Sequence, residues 1–220
     1  MAGRLPARAA LDHGPDWRNT MVKAVLYLEG GGDLDHLKRS CRENFQKLLI
    51  SCGFTGRMPR IIPCGGRDKA FKNFKRAHKT KRTDEFVGLW IDSEDPLKDL
   101  EATWEHLLQR DNWEKPDGAT DDQVLFMTTC METWIVADRE TLKKHFGSDL
   151  QLSALLPLKK LEERTRQEVL ESLEHATRNC QNAYKKGKRS FEILGKLSPT
   201  VLEQHLPSFV RVVRILKDQL

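Results

Sequence analysis

From Lys23 onward, short apolar runs alternate with stretches of helical spacing. Ala24-Val25-Leu26-Tyr27-Leu28 is continuously apolar and breaks into Glu29-Gly30-Gly31-Gly32-Asp33, the pattern of a buried strand entering a glycine turn. Leu34, Leu37, Cys41, Phe45, Leu48 and Leu49 then recur on one helical face, with Asp33 as the expected cap. Arg60-Ile61-Ile62-Pro63-Cys64 reads as a second strand, followed by Gly65-Gly66 and a basic helix that buries Phe71 and Phe74. Phe86-Val87-Gly88-Leu89-Trp90-Ile91 is the third strand, ending in Asp92-Ser93-Glu94-Asp95, and Asp95-Pro96 is expected to open another helix. Residues 123–128 form the fourth strand and run into Cys130-Met131-Glu132-Thr133-Trp134. Strands separated by helices predict βαβ units, an α/β fold and a mostly parallel sheet of about four strands.

After Gly147 the strand signal stops. Residues 158–180 and 209–220 read as helices, with a basic loop (Lys185, Lys186, Lys188, Arg189) between them. The expected organisation is a mobile leader over 1–20, an α/β unit over 21–150 and an all-helical extension over 151–220.

Composition adds exclusions. The 220 residues are 39% hydrophobic, enough for a core, but contain no apolar run of about 18 residues and no secretory n-region leading into an apolar stretch. The five cysteines are scattered without a C-x-x-C pair, which suits reduced buried thiols and a cytoplasmic protein. No G-K-[ST] follows the glycines, so the turn is not a Walker loop, and His36, His78 and His106 lack the spacing of a nucleophilic triad.

Charge is segregated. Between Arg60 and Arg82 nine Lys/Arg face Asp68 alone, whereas between Asp84 and Asp122 thirteen Asp/Glu face three Lys/Arg. Adjacent blocks of opposite sign suit a site that holds a cation and a polyanion side by side, or two helices that neutralise each other.

Three strand ends carry acids, and ligands of open parallel sheets bind outside the carboxyl ends of the strands. Glu29, Asp92, Glu94 and Glu132 are therefore the candidate catalytic and metal-binding residues. Two carboxylates about 4 Å apart repel by roughly 4 kcal/mol at an effective dielectric near 20, so such a cluster calls for a cation or shared protons. Oxygen donors favour Mg2+ or Mn2+. Asp33, Asp95 and Asp138 are secondary candidates with evident capping roles. Lys69, Lys72, Lys75 and Lys79 recur at helical spacings opposite Phe71 and Phe74, with Arg67 at the start of the same helix. That stripe suits contact with the phosphates of DNA or RNA.

Leu28-Glu29-Gly30-Gly31-Gly32-Asp33 resembles the E-G-x-x-D opening of Toprim domains, found in topoisomerases, bacterial primases and overcoming-lysogenization-defect nucleases. Asp92-Ser93-Glu94 resembles their D-x-D motif, with Glu in place of the second Asp. Residues 127–138, Cys64-Gly65-Gly66-Arg67 and Phe71-Lys72-Asn73-Phe74 resemble a Toprim-like family of unknown function whose members are often encoded beside ATPases in bacterial defence loci. The resemblance covers residues 21–147 well and 184–220 more loosely. It implies a Mg2+-dependent nuclease or related phosphodiester-processing enzyme, an effector of antiviral defence acting with an adjacent ATPase. In that reading Glu29 works in proton transfer or metal binding, Asp92 and Glu94 hold the ion, and Glu132 completes its shell. The alternatives are a non-catalytic nucleic-acid-binding or regulatory subunit that docks on an ATPase, and a Toprim-type nucleotidyl transferase.

Overall fold

The structure is a computed structural model and describes residues 24–220; the leader expected over 1–20 lies outside them. Four strands, β1 (Ala24–Leu28), β2 (Arg60–Pro63), β3 (Phe86–Asp92) and β4 (Val124–Met127), form one sheet of order β2-β1-β3-β4 with every pair parallel. The α/β architecture expected from the alternating pattern is the one observed.

Side chains alternate across the sheet and divide the core in two. Phe86 and Trp90 of β3 join Leu26, Leu28, Leu125 and Met127 on one face, under α1 (Asp35–Ser51) and the helices after β4. Val87, Leu89 and Ile91 point the other way, against Phe71 and Phe74 of α2 (Arg67–Thr80) and Trp104 and Leu107 of α3 (Thr103–Asp111). β3 is buried along its whole length, which is why it lacks the polar alternation of a half-exposed strand. At Gly88 a Cβ would stand 2.8 Å from Leu26 Cδ2 and 3.0 Å from Phe86 Cε1, so a side chain there would push both core residues aside.

The C-terminal region is helical: α4 (Met131–Ala137), α5 (Arg139–Phe146), α6 (Arg166–Thr177), α7 (Lys188–Leu194), α8 (Pro199–His205) and α9 (Pro207–Gln219). It shares one apolar cluster with the sheet. Trp90 of β3, Trp134 of α4 and Phe209 of α9 form a continuous aromatic chain, with ring centroids 6.1 and 4.9 Å apart. α9 covers the outer strand, where buried Arg211 donates to the carbonyls of Val124 at 2.8 Å and Asp121 at 2.9 Å.

Several boundaries differ from the expectation. Asp33 does not cap α1, whose N-cap is Leu34 without a side-chain bond. No helix opens at Asp95-Pro96; α3 begins at Thr103. Past Asp92 the chain stays tied to the end of β4, Ser93 N–H donating to Met127 O and Glu94 N–H to Thr129 O, and so continues as a loop. Asp121, eighteen residues beyond Thr103, meets the start of α3 instead, its Oδ1 accepting from Trp104 N–H at 3.0 Å and from Thr103 Oγ1 at 3.1 Å. The helix expected over 158–180 starts at Arg166, because Thr165 and Glu168 form a reciprocal capping box there. Part of the expected basic loop is α7, and α8 follows it. Among the described residues no helix is long and apolar enough to cross a membrane.

Candidate metal centre

The site begins where β1 and β3 end side by side. Glu29 N–H donates to Trp90 O at 2.9 Å, and Gly30 and Gly65 exchange backbone bonds at 2.9 and 2.8 Å, which turns the chain sharply beyond β1. Gly65 has φ of +82°, and a Cβ on it would lie 2.7 Å from Gly32 O; a side chain there would force the two turns apart. The Glu29 side chain consequently points at the end of β3. Its Oε2 accepts from Asp92 N–H at 3.3 Å.

Glu29, Asp92 and Glu94 each bring one carboxylate oxygen within 4.8 Å of the others. Asp92 is buried, and its Oδ1 accepts from Met131 N–H at 2.9 Å. Glu94 adopts φ of +69° at the loop's start. Glu132 enters from α4, is 1% exposed and lines the same cavity of about 290 Å3 as Glu29 and Asp92. Its Oε1 accepts from Tyr184 Oη at 2.6 Å, and Lys186 Nζ lies 4.0 Å away. Its Oε2 is buried without a hydrogen-bond partner.

Electrostatics register the crowding. Burial, then Glu29 and Glu132, push the Asp92 carboxyl well above the ordinary carboxylate range. Burial and Glu94 push Glu29 up as well, against the pull of Arg67. The Tyr184 phenol is driven far up by burial and by Glu132, so it stays protonated and acts as a donor. Raised carboxyls plus an unpartnered buried oxygen describe an anionic site short of positive charge. Glu29, Asp92 and Glu94 make an all-oxygen set that would suit a hard divalent cation; Glu132 lines the same cavity but lies outside that trio.

Three arginines border the cluster. Arg67, expected among the phosphate contacts, is committed inward: it donates to both Asp111 oxygens at 3.1 and 2.7 Å, to Asp92 O and to Glu29 Oε2 at 3.5 Å. Its guanidinium also lies 5.1 Å from the Trp113 ring. Arg67 is therefore a clamp on the site and not an open phosphate ligand. Arg166 of α6 pairs with Glu94 Oε2, and Arg110 approaches the same oxygen at 4.0 Å. These partners lie 44 and 72 residues away from Arg67 and Glu94 respectively, and no local pattern announces them.

The remaining candidates are spread out. Asp33 is exposed and 3.7 Å from Lys69; Asp95 is exposed and pairs with Arg110 at 3.0 Å. Asp138 caps α5, accepting from Thr141 N–H and Oγ1 and from Ser198 N–H, so both of its oxygens serve the helical packing. Lys69, Lys72, Lys75 and Lys79 are exposed on α2, and Lys75 lies over the Phe71 ring. At 1.5 Å per residue the stripe runs about 15 Å from Lys69, two residues past Arg67, to Lys79. His78 and His106 bond backbone carbonyls, those of Asp117 and Ser93.

A family model described as a domain of unknown function (DUF4276) matches residues 28–217, a span that includes every residue of this cluster. No curated protein and no solved structure matches the chain.

Proposed function

The chain belongs to this family of unknown function (DUF4276), and we propose that it is a Mg2+- or Mn2+-dependent nuclease, or a related phosphodiester-processing enzyme, working at the carboxyl edge of its sheet. The observation that carries the reading is the convergence of Glu29, Asp92 and Glu94 oxygens within 4.8 Å at adjacent strand ends. A bound divalent cation would polarise a phosphoryl oxygen and offset the charge developing on it. Asp92, fixed through Oδ1 by Met131 N–H, keeps its second oxygen for the ion. Glu29, whose carboxyl burial has raised, is suited to take or give a proton beside the attacked phosphate. Arg67 holds Glu29 in place through Oε2. Lys186 lines the same cavity and brings a cation to its wall for a phosphate oxygen. The exposed lysines of α2 would carry the flanking strand without reading bases. The resemblance to Toprim-like proteins supports the chemistry and extends the proposal to an antiviral effector that acts with an adjacent ATPase.

The test is cleavage of plasmid, single-stranded DNA and transfer RNA with Mg2+, Mn2+ or EDTA, alone and, where an ATPase is encoded beside it, with that ATPase added. Cleavage should require the metal. Asp92→Asn, which keeps the shape and removes one anionic ligand, should lower the rate by about 10²–10³ while leaving the protein folded. An Asp92→Asn protein that cleaves as fast as the parent would remove the catalytic assignment. Absence of metal-dependent cleavage in every combination would favour a second reading, a nucleic-acid-binding subunit that docks on an ATPase. The ion pairs Arg67–Glu29 and Arg166–Glu94 support that reading, because they already offset part of the cluster's charge.

A further inference from the structure

Each of the four carboxylates is gripped through one oxygen. Arg67 holds Glu29 by Oε2, Met131 N–H holds Asp92 by Oδ1, Arg166 holds Glu94 by Oε2, and Tyr184 holds Glu132 by Oε1. The grips differ in charge. An arginine fixes a carboxylate and offsets its charge, whereas a phenol fixes it without adding charge; at Glu132 the nearest cation, Lys186 Nζ, stands 4.0 Å off, beyond hydrogen-bond distance. Glu132 is the most buried of the four, and its other oxygen has no hydrogen-bond partner. A buried carboxylate oxygen without a partner is costly, so Oε2 is the atom of Glu132 that has most to gain from a ligand.

We propose that Tyr184 is a positioning residue for the cation: its hydroxyl holds Glu132 Oε1 so that the unpartnered Oε2 is left for the ion shared with Asp92 and Glu29. This rests on the reading of the cluster as a cation site. Tyr184 is itself set with care. It is 5% exposed, and its N–H donates at 2.9 Å to Thr177 Oγ1, which in turn donates at 2.9 Å to Leu173 O. The segment between α6 and α7 is thus pinned to the end of α6, and the buried ring brings its hydroxyl to Glu132. Phenylalanine would fill the same volume; only the hydroxyl, 2.6 Å from Glu132, distinguishes tyrosine here. The helical region therefore completes the site that the strand ends begin.

The experiment is a double-mutant cycle on Mn2+ affinity, read by titration calorimetry and by the Mn2+ electron paramagnetic resonance signal, using the full chain. Tyr184→Phe should bind Mn2+ about 10–100-fold more weakly, the usual effect of losing a partner that orients a metal ligand. Glu132→Gln should weaken binding too, and Tyr184→Phe should add nothing in that background, because its whole effect runs through Glu132. Equal losses in both backgrounds would mean that Tyr184 only packs, and an unchanged Tyr184→Phe affinity would overturn the proposal outright. Melting in EDTA should find Tyr184→Phe folded; failure to fold without metal would assign the hydroxyl to the core and also contradict it. A parent protein that binds no Mn2+ would remove the cation reading together with this one, whereas a parent that binds and a Tyr184→Phe that binds equally would remove this one alone.

Discussion

Glu29, Asp92 and Glu94 leave the strand ends of one sheet edge, whereas Arg166, Tyr184 and Lys186 reach the same cluster from a helical region that contributes no strand. The first set is placed by β-topology. Parallel pairing of Leu28 with Trp90 puts the residues that follow each strand beside one another, whatever their side chains are. The second set is placed by packing, through an apolar core that α4, α6, α7 and α9 share with one face of the sheet. The strand ends supply crowded negative charge, and the helices supply the donors that orient it. A division of the chain at residue 150 would separate Glu94 from Arg166 and Glu132 from Tyr184.

The two regions also differ in how each tolerates a buried carboxylate, and that difference can be tested. At the sheet edge the carboxyls are raised by one another as well as by burial. In the helical region Glu162 stands apart: burial lifts it from the ordinary 4.5 to about 7, although Ser208 at the start of α9 donates to it through N–H and Oγ. A carboxyl raised in the folded state stabilises below its unfolded value, and that stability is lost as pH rises through the folded one. Between pH 4.5 and about 7 the protein should lose about 3 kcal/mol from this group, at 1.36 kcal/mol per unit. Glu162→Gln should flatten that stretch of the denaturation profile by the same amount, equally with EDTA and with Mg2+. If the flattening depends on metal, Glu162 is coupled to the sheet edge and the contrast fails.

A smaller effect is expected from α2. Replacing Lys72, Lys75 and Lys79 with alanine should flatten the salt dependence of duplex DNA binding by about 0.9 log units per lost contact, similarly for different sequences. Because the stripe leads away from the carboxylates, the cleavage rate at saturating nucleic acid should change little. An unchanged salt slope would return this helix to an ordinary solvated face and leave Lys186 as the cation nearer the chemistry.

The sheet and three of its acids could be read along the chain because the signals are local. An apolar run that breaks into Glu29 and three glycines has one physical meaning, and Asp92 ends a strand that is buried throughout. The loop after β3 could not be read so, since Asp95-Pro96 is a good helix start in isolation. What overrides it is the pinning of Ser93 and Glu94 to the end of β4. Arg67 looked like one more cation of a basic helix; Asp111 and Trp113, far along the chain, turn it inward. Tyr184 carries no sequence signal at all, for its role exists only once α6 and α7 bring it under Glu132.

Divalent-ion binding by the metal-free protein decides whether the carboxylate cluster is a metal centre. Thermal and chemical denaturation should be followed in EDTA and in Mn2+ for the parent, Glu29→Gln and Asp92→Asn. An ion at 100 times its dissociation constant should stabilise the parent by about 2.7 kcal/mol. In EDTA, Asp92→Asn should melt at or above the parent, because a buried charge repelled by Glu29 and Glu132 has gone. In Mn2+ that order should reverse. If millimolar Mn2+ or Mg2+ leaves the parent's melting unchanged and Glu29→Gln melts as the parent does, the carboxylate cluster is not a metal centre.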